Sequence, residues 1–208
     1  MEELLEQYAK LLTRVDDWFS SCIPQFPDAI SCGHGCSSCC RGLFDITLLD
    51  AFFLRRGFDK LSEEVRRAVQ SCAEKRVSTV SEIWPEFVPP FLLNVRPEEE
   101  WPEVLIEDDE TPCVLLDTNG LCLVYDYRPL TCRLHGLPLV DVTGEIMDDA
   151  WCTLNFTGQN PLVLNGLWFD FAELFRMETL LIGEFNTLVT GLPSAQLDTL
   201  IPAALLIP

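Results

Sequence analysis

Residues 31–42 read SCGHGCSSCCRG and place four cysteines, Cys32, Cys36, Cys39 and Cys40, within nine positions. The glycines and serines between them favour tight, irregular backbone, which lets several thiols point at one centre. Zn²⁺ and iron–sulfur clusters both prefer four soft thiolate donors in a roughly tetrahedral arrangement. Packing alone does not produce cysteines at this density. The stretch therefore predicts metal ligands, and we expect the fold to form around them.

A second group of cysteines lies well downstream. The segment 113–125, CVLLDTNGLCLVY, has two apolar runs on either side of Asn119-Gly120, a strong β-hairpin signal. Such a hairpin would bring its two cysteines to one end of a small sheet, and Pro129 is well placed to open a short helical turn after it. The eight predicted metal ligands are Cys32, Cys36, Cys39, Cys40, Cys113, Cys122, Cys132 and Cys152.

The adjacent pair Cys39-Cys40 needs its own explanation. Consecutive side chains point to opposite faces of a strand and well apart on a helix, so one ion would rarely be held by both. Two interpretations remain open: two metal centres, or one ligand beside a thiol that does not bind the metal. Eight cysteines would serve two four-thiolate sites.

The other cysteines and the two histidines receive simpler interpretations. Cys72 falls on an apolar helical stripe and Cys22 follows the first helix, so both are expected to fill the core. His34 and His135 could supply imidazole ligands, but we expect them beside the metal rather than on it.

Charge and the N-terminus indicate where the protein works. Fourteen basic residues against thirty-three acidic ones give a net charge of −19, which would repel a phosphate backbone, so nucleic acid is excluded as a partner. The start, MEELLEQYAKLL, lacks the basic stretch of a signal peptide, and no apolar run is long enough to span a membrane. We expect a cytoplasmic protein. Disulfides do not persist in the reducing cytosol, which favours metal binding by the cysteines.

Apolar periodicity predicts a helix-dominated α+β single domain, with small β-hairpins and irregular loops around the metal. Helices are expected at 2–21, from the Thr47 cap to Gly57, and over about 63–84 after the Ser62 cap. The last of these would bury Val65, Val69, Cys72, Val80 and Ile83. Residues 85–112 read as an acidic, proline-rich connection, LPLVDVTGEIM as a hairpin turning at Thr143-Gly144, and 160–208 as a mostly helical, apolar segment. The chelating core would span about 30–155 of one domain, 1–208.

Together these residues resemble the YkgJ-type cysteine-cluster family, a zinc- or iron-chelating domain with a CxxxCxxCC signature. The signature falls on Cys32, Cys36, Cys39 and Cys40. A second motif matches through Pro112-Cys113, Gly120, Cys122, Tyr125, Arg128, Pro129, Cys132 and Arg133, and Cys152 is in keeping with members that carry another cysteine there. The resemblance covers roughly 30–155. It implies metal chelation, often by an iron–sulfur cluster, without implying a reaction.

The leading hypothesis is a metal-binding protein that serves electron transfer, metal handling or a structural role. An iron–sulfur cluster is slightly favoured over zinc, because the cysteine doublet and the high thiol count suit a cluster. The chain carries no glycine-rich phosphate loop and no HExxH motif, which disfavours an enzyme. One alternative is a cluster-dependent redox or methyl-transfer-associated enzyme, since flagellin lysine methylases carry a similar cysteine group; Tyr125, Arg128 and Arg133 would then be suspected. The other is a structural zinc domain that binds an unknown protein partner.

The spacing of Cys32, Cys36 and Cys39 is also that of radical S-adenosylmethionine enzymes. Those enzymes need a partial β/α barrel, and the chain lacks the alternating strand–helix pattern that such a barrel requires. We therefore set that class aside.

Overall fold

The computed structural model describes residues 1–101, 110–191 and 197–207. Parts of two sequence predictions, the acidic connection at 102–109 and the apolar tail at 192–196 and 208, lie outside these ranges. The fold is α+β and helix-dominated, as predicted. Its helices and strands are α1 (Glu2–Cys22), β1 (Asp45–Thr47), α2 (Leu48–Phe58), α3 (Glu63–Ile83), α4 (Leu130–Leu134), β2 (Leu139–Val140), β3 (Ile146–Asp148), α5 (Phe171–Thr190), β4 (Asp198–Leu200) and α6 (Ile201–Ala204).

Helix α1 packs against three other helices. Its apolar residues recur at helical spacing, and the buried face packs against α5, α4 and α2. Trp18 adds a hydrogen bond from its indole Nε1 to the carbonyl oxygen of Leu167, at 2.9 Å. The predicted first helix is therefore confirmed. The buried residues are Leu5, Tyr8, Leu11, Leu12, Val15, Trp18 and Cys22.

Helix α2 begins with the predicted cap. The Thr47 side chain accepts from the Asp50 amide, and the Asp50 side chain accepts in return, which forms a capping box. The predicted stop at Gly57 is one residue early, because the helix continues to Phe58. Gly57 instead provides room for a neighbour: a Cβ at this position would lie 2.5 Å from the Tyr127 ring.

Helix α3 corrects one prediction. Ser62 caps it as expected, but Cys72 and Ile83 are exposed rather than buried. The buried face instead contains Val69, Ala73, Val77 and Val80, which follow a strict i, i+4 and i+3 spacing. Cys72 is therefore not core filler, since the helix presents Ala73 to the core in its place.

Within the residues that the structure describes, two small antiparallel sheets complete the fold. Strands β2 and β3 form the hairpin predicted around Thr143-Gly144. Strand β1 pairs with β4 near the C-terminus, with Asp45 opposite Leu200. This second pairing was not predicted, because the segment 160–208 was expected to be mostly helical. No helix within the described ranges has both the length and the apolarity to cross a membrane.

Candidate metal centre

A cavity of about 460 Å³ lies where the two cysteine groups meet. Seven of the eight predicted ligands line it: Cys32, Cys36, Cys39, Cys40, Cys113, Cys122 and Cys132. The eighth, Cys152, does not line the cavity. It lies close to Cys32: burial raises the pKa of the Cys32 thiol, the hydrogen bond from Asn155 lowers it, and Cys152 raises it again. Both histidines also line the cavity.

The first cysteine group is folded by two successive turns. The Cys36 amide donates to the Gly33 carbonyl at 3.0 Å, and the Cys40 amide donates to the Ser37 carbonyl at 3.0 Å. Gly35 is the third residue of the first turn, with φ at +92°, a backbone conformation that glycine adopts without strain. With these turns, all four thiols of the loop line the cavity, as the glycine and serine content predicts.

The chain runs from this loop into a short pairing with the second group. The Cys113 amide donates to the Cys40 carbonyl at 2.9 Å, and the Gly42 amide donates to the Thr111 carbonyl at 2.8 Å. Arg41 and Pro112 form an antiparallel bridge between these two bonds. Residues far apart in sequence are therefore held together by backbone hydrogen bonds beside the cysteines.

The predicted hairpin at Asn119-Gly120 is present as a tight, irregular loop. The Asp117 carboxylate accepts from the amides of Asn119 (2.7 Å) and Leu121 (2.8 Å), and Gly120 has φ at +78°. One antiparallel bridge, between Leu116 and Cys122, joins its arms. The arms are shorter than predicted because the Asx turn at Asp117 binds the amides next to it.

Helix α4 carries Cys132 and is anchored by a buried carboxylate. Pro129 precedes the helix as expected, and the Leu130 amide donates to Oδ1 of Asp50 at 3.0 Å. Tyr8 donates its hydroxyl to the same oxygen at 2.5 Å. Burial raises the pKa of Asp50, and these hydrogen bonds partly offset that rise. Asp50 therefore links α1, α2 and α4 directly behind a predicted ligand.

Asn155 is a residue that the sequence analysis missed. It is 1% exposed, and its Nδ2 donates to Cys32 Sγ at 3.2 Å and to the Gly136 carbonyl at 2.7 Å. Its Oδ1 accepts from the Ser31 amide at 2.8 Å. Hydrogen bonds to a ligand sulfur orient it and tune the metal that it binds. The only sequence signal was the position of Asn155 three residues after Cys152.

Burial and hydrogen bonding raise the pKa of five of the eight predicted ligand thiols. Burial raises the pKa of Cys32 and of Cys113 to about 11, and it raises the pKa of Cys132 further. A hydrogen bond with Cys40 raises the pKa of Cys39, and the same bond lowers that of Cys40. Because the thiolate is the ligand, metal binding here must release protons.

Two arginines beside the thiols differ in their surroundings. Arg128 stacks on Tyr125, with its guanidinium carbon 3.6 Å from the ring centroid, and it pairs with the Asp16 carboxylate at 3.6 Å. Burial raises the pKa of Cys122 and of Cys132, and the positive charge of Arg128 partly offsets that rise. Arg133 is 5% exposed, and each of its three guanidinium nitrogens has a partner. It donates to the carbonyls of Arg128 and Asp126 and pairs with the Asp16 carboxylate. Arg128 is therefore a charge partner of the thiols, whereas Arg133 holds the backbone around them.

The donor set fits a thiophilic metal. Sulfur ligands in this number suit zinc or an iron–sulfur cluster. Over 1–101, 110–191 and 197–207, no three side chains of cysteine, histidine, aspartate or glutamate are already arranged as ligands of one ion. The thiols therefore share a cavity, and binding would require their side chains to rotate towards the metal.

Cysteine 22 is confirmed as a core residue. It is buried at the end of α1, and its Sγ lies 3.7 Å from the Gly166 carbonyl oxygen. Burial raises the pKa of its thiol to about 11.

These features define a small helical protein with a cavity lined by cysteines. A family model described as "Putative zinc- or iron-chelating domain", CxxCxxCC, matches residues 31–153, which is more than half of the chain. The chain belongs to this family, and the resemblance found in its sequence is confirmed. No curated protein and no solved structure is significantly similar to the chain.

Proposed function

We propose that the chain binds zinc or an iron–sulfur cluster through cysteine thiolates, and that this metal serves electron transfer, metal handling or a structural role rather than catalysis. One observation carries the proposal: seven thiols, from segments 32–40 and 113–132, line a single cavity. Membership of a zinc- or iron-chelating family supports metal binding in general. The cysteine doublet and the thiol count favour iron–sulfur slightly over zinc.

Energetics make such a centre central to the fold. A structural zinc site contributes on the order of 10–16 kcal/mol of apparent binding free energy, whereas a whole domain is stable by only about 5–15 kcal/mol. The cavity side chains Cys39, Cys40, Cys113, Cys122 and Cys132 are half-buried. Without a metal they would leave an open cavity at the junction of two segments, so we expect the metal-free protein to be much less stable.

Anaerobic purification followed by elemental analysis and a visible spectrum tests the proposal. An iron–sulfur cluster gives brown protein that bleaches on reduction, and zinc gives colourless protein with stoichiometric metal. The Cys72→Ser variant is the matched control, because Cys72 is exposed on α3, and it should retain all of the metal. Protein that contains neither metal, while its thiols remain free and its fold intact, would contradict the proposal.

A further inference from the structure

The cysteine loop 32–40 is tied to a different segment at each end. At its start, the Phe156 amide donates to the Ala29 carbonyl at 2.7 Å, and Ser31 bonds Asn155 and the Leu154 carbonyl. Residues 29–32 therefore run beside 152–156, which places Cys32 next to Cys152.

At its end the loop meets another partner. Residues 40–42 run beside 111–113 through the bonds from Cys113 to Cys40 and from Gly42 to Thr111. The hairpin after Cys113 returns Cys122 to the same place through its bridge to Leu116. The two ends of one short loop are thus fixed beside separate groups of cysteines.

From this arrangement we infer that the eight cysteines form two four-thiolate centres, divided between Cys39 and Cys40. This inference rests on the proposed function. The outer set, fixed by residues 152–156, is Cys32, Cys36, Cys39 and Cys152. The inner set, fixed by residues 111–113 and α4, is Cys40, Cys113, Cys122 and Cys132. Each set supplies the four donors that one zinc ion or one cluster requires.

The cysteine doublet lies where the loop reaches its second partner. The Cys40 carbonyl accepts from the Cys113 amide, so Cys40 itself belongs to the contact with residues 111–113, whereas Cys39 precedes that contact. Consecutive side chains point well apart, so one ion would rarely be held by both members of the doublet. The doublet therefore marks the boundary and makes the two centres neighbours.

The two sets also differ in exposure, which gives them different labilities. Cys36 of the outer set is exposed, whereas every member of the inner set is half-buried. A chelator should therefore remove the outer metal first, in a two-phase reaction with equal amplitudes.

Paired substitutions test the division. We compare the wild type with two double variants. The outer double variant carries Cys36→Ser and Cys152→Ser, and the inner double variant carries Cys113→Ser and Cys122→Ser. A fourfold variant combines all four substitutions, and Cys72→Ser is the control. Metal per chain is measured after anaerobic purification, and circular dichroism reports the fold. Each double variant should contain half as much metal per chain as the wild type. The fourfold variant should contain none, and the control should contain as much as the wild type.

The outcomes separate the division from the proposed function. Metal-free wild type would refute metal binding itself. Two results would overturn the division alone, provided that the wild type contains metal. In the first, one double variant loses all of its metal and the other loses none; in the second, both double variants fold but contain no metal. If a pair fails to fold, single-phase chelation of wild-type protein would overturn the division, and two equal phases would support it.

Discussion

Replacing Asn155 by alanine removes the side-chain link between the two segments that carry Cys32 and Cys152, while the bonds from the Phe156 amide to Ala29 and from the Ser31 hydroxyl to Leu154 remain. The buried amide makes three hydrogen bonds, to the Ser31 amide, the Gly136 carbonyl and Cys32 Sγ, at 2.8, 2.7 and 3.2 Å. Each such bond contributes about 1 kcal/mol net, and its loss leaves a buried partner unsatisfied. We therefore expect the free energy of unfolding of the metal-free protein to fall by about 3 kcal/mol.

The metal-loaded protein should lose more than this. Removing a hydrogen bond to a ligand lowers metal affinity by about 10–100-fold, which corresponds to about 1.4–2.8 kcal/mol. Because the metal binds only the folded state, this loss adds to the destabilisation of the loaded protein. Urea unfolding of metal-free and metal-loaded protein, combined with chelator competition, measures both terms independently.

Two matched variants sharpen the experiment. Asn155→Asp keeps an acceptor for the Ser31 amide but loses both bonds that Nδ2 donates, and it places a buried carboxylate beside the Gly136 carbonyl and the Cys32 sulfur. It should therefore lower both the metal-free stability and the metal affinity by at least as much as Asn155→Ala. Asn165→Ala changes an exposed asparagine and should change neither. If the free energy of unfolding of Asn155→Ala lies within about 0.5 kcal/mol of the wild-type value in both the metal-free and the metal-loaded form, the role assigned to this amide is refuted.

Three further predictions follow from the same structure. Arg128→Gln should lower the metal affinity about tenfold in chelator competition, as expected for the loss of a group that supports the ligands. Arg133→Gln should mainly lower the free energy of unfolding, by about 2 kcal/mol. The reverse pattern would contradict the roles given to these two arginines. Burial, followed by the Asp50 charge, raises the pKa of Glu178 to about 8, so the folded state retains a proton that the unfolded chain loses, and stability falls as pH rises from the ordinary value of 4.5 towards 8. Glu178→Gln should therefore stabilise the protein by roughly 1–3 kcal/mol at pH 7.5 and by less at pH 5.5 in urea unfolding, and an equal difference at both would disprove this. Gly136→Ala should reduce metal content, because its φ is +115° and a Cβ would lie 3.1 Å from Cys32 Sγ, whereas Gly33→Ala, with nothing within 4 Å of its Cβ, should retain it.

Local signals in the sequence predicted the local structure well. The apolar stripe of α1, the caps at Thr47 and Ser62, and the turn at Thr143-Gly144 each depend on residues a few positions apart. The exposed Cys72 was placed wrongly because Cys72 and Ala73 lie three and four residues after Val69, and both spacings put an apolar residue near the same helical face.

Long-range features could not be predicted in the same way. Strands β1 and β4 have three residues each, too few to show periodicity, and they meet only through the packing of the whole chain. The contacts of Asp50 and Asn155 likewise depend on segments far apart in sequence, and an asparagine or aspartate has no pattern that reveals such contacts. The grouping of seven cysteines in one cavity was anticipated because the hypothesis of a shared metal requires its ligands to converge.

X-ray absorption at the metal edge of anaerobically isolated protein tests the central claim most directly. Cysteine coordination predicts a nearest shell of sulfur alone, at about 2.3 Å from zinc; for iron, the same measurement should find sulfur throughout the nearest shell. A nearest shell of oxygen or nitrogen, at about 2.0–2.2 Å from zinc, would show that these thiols do not hold the metal.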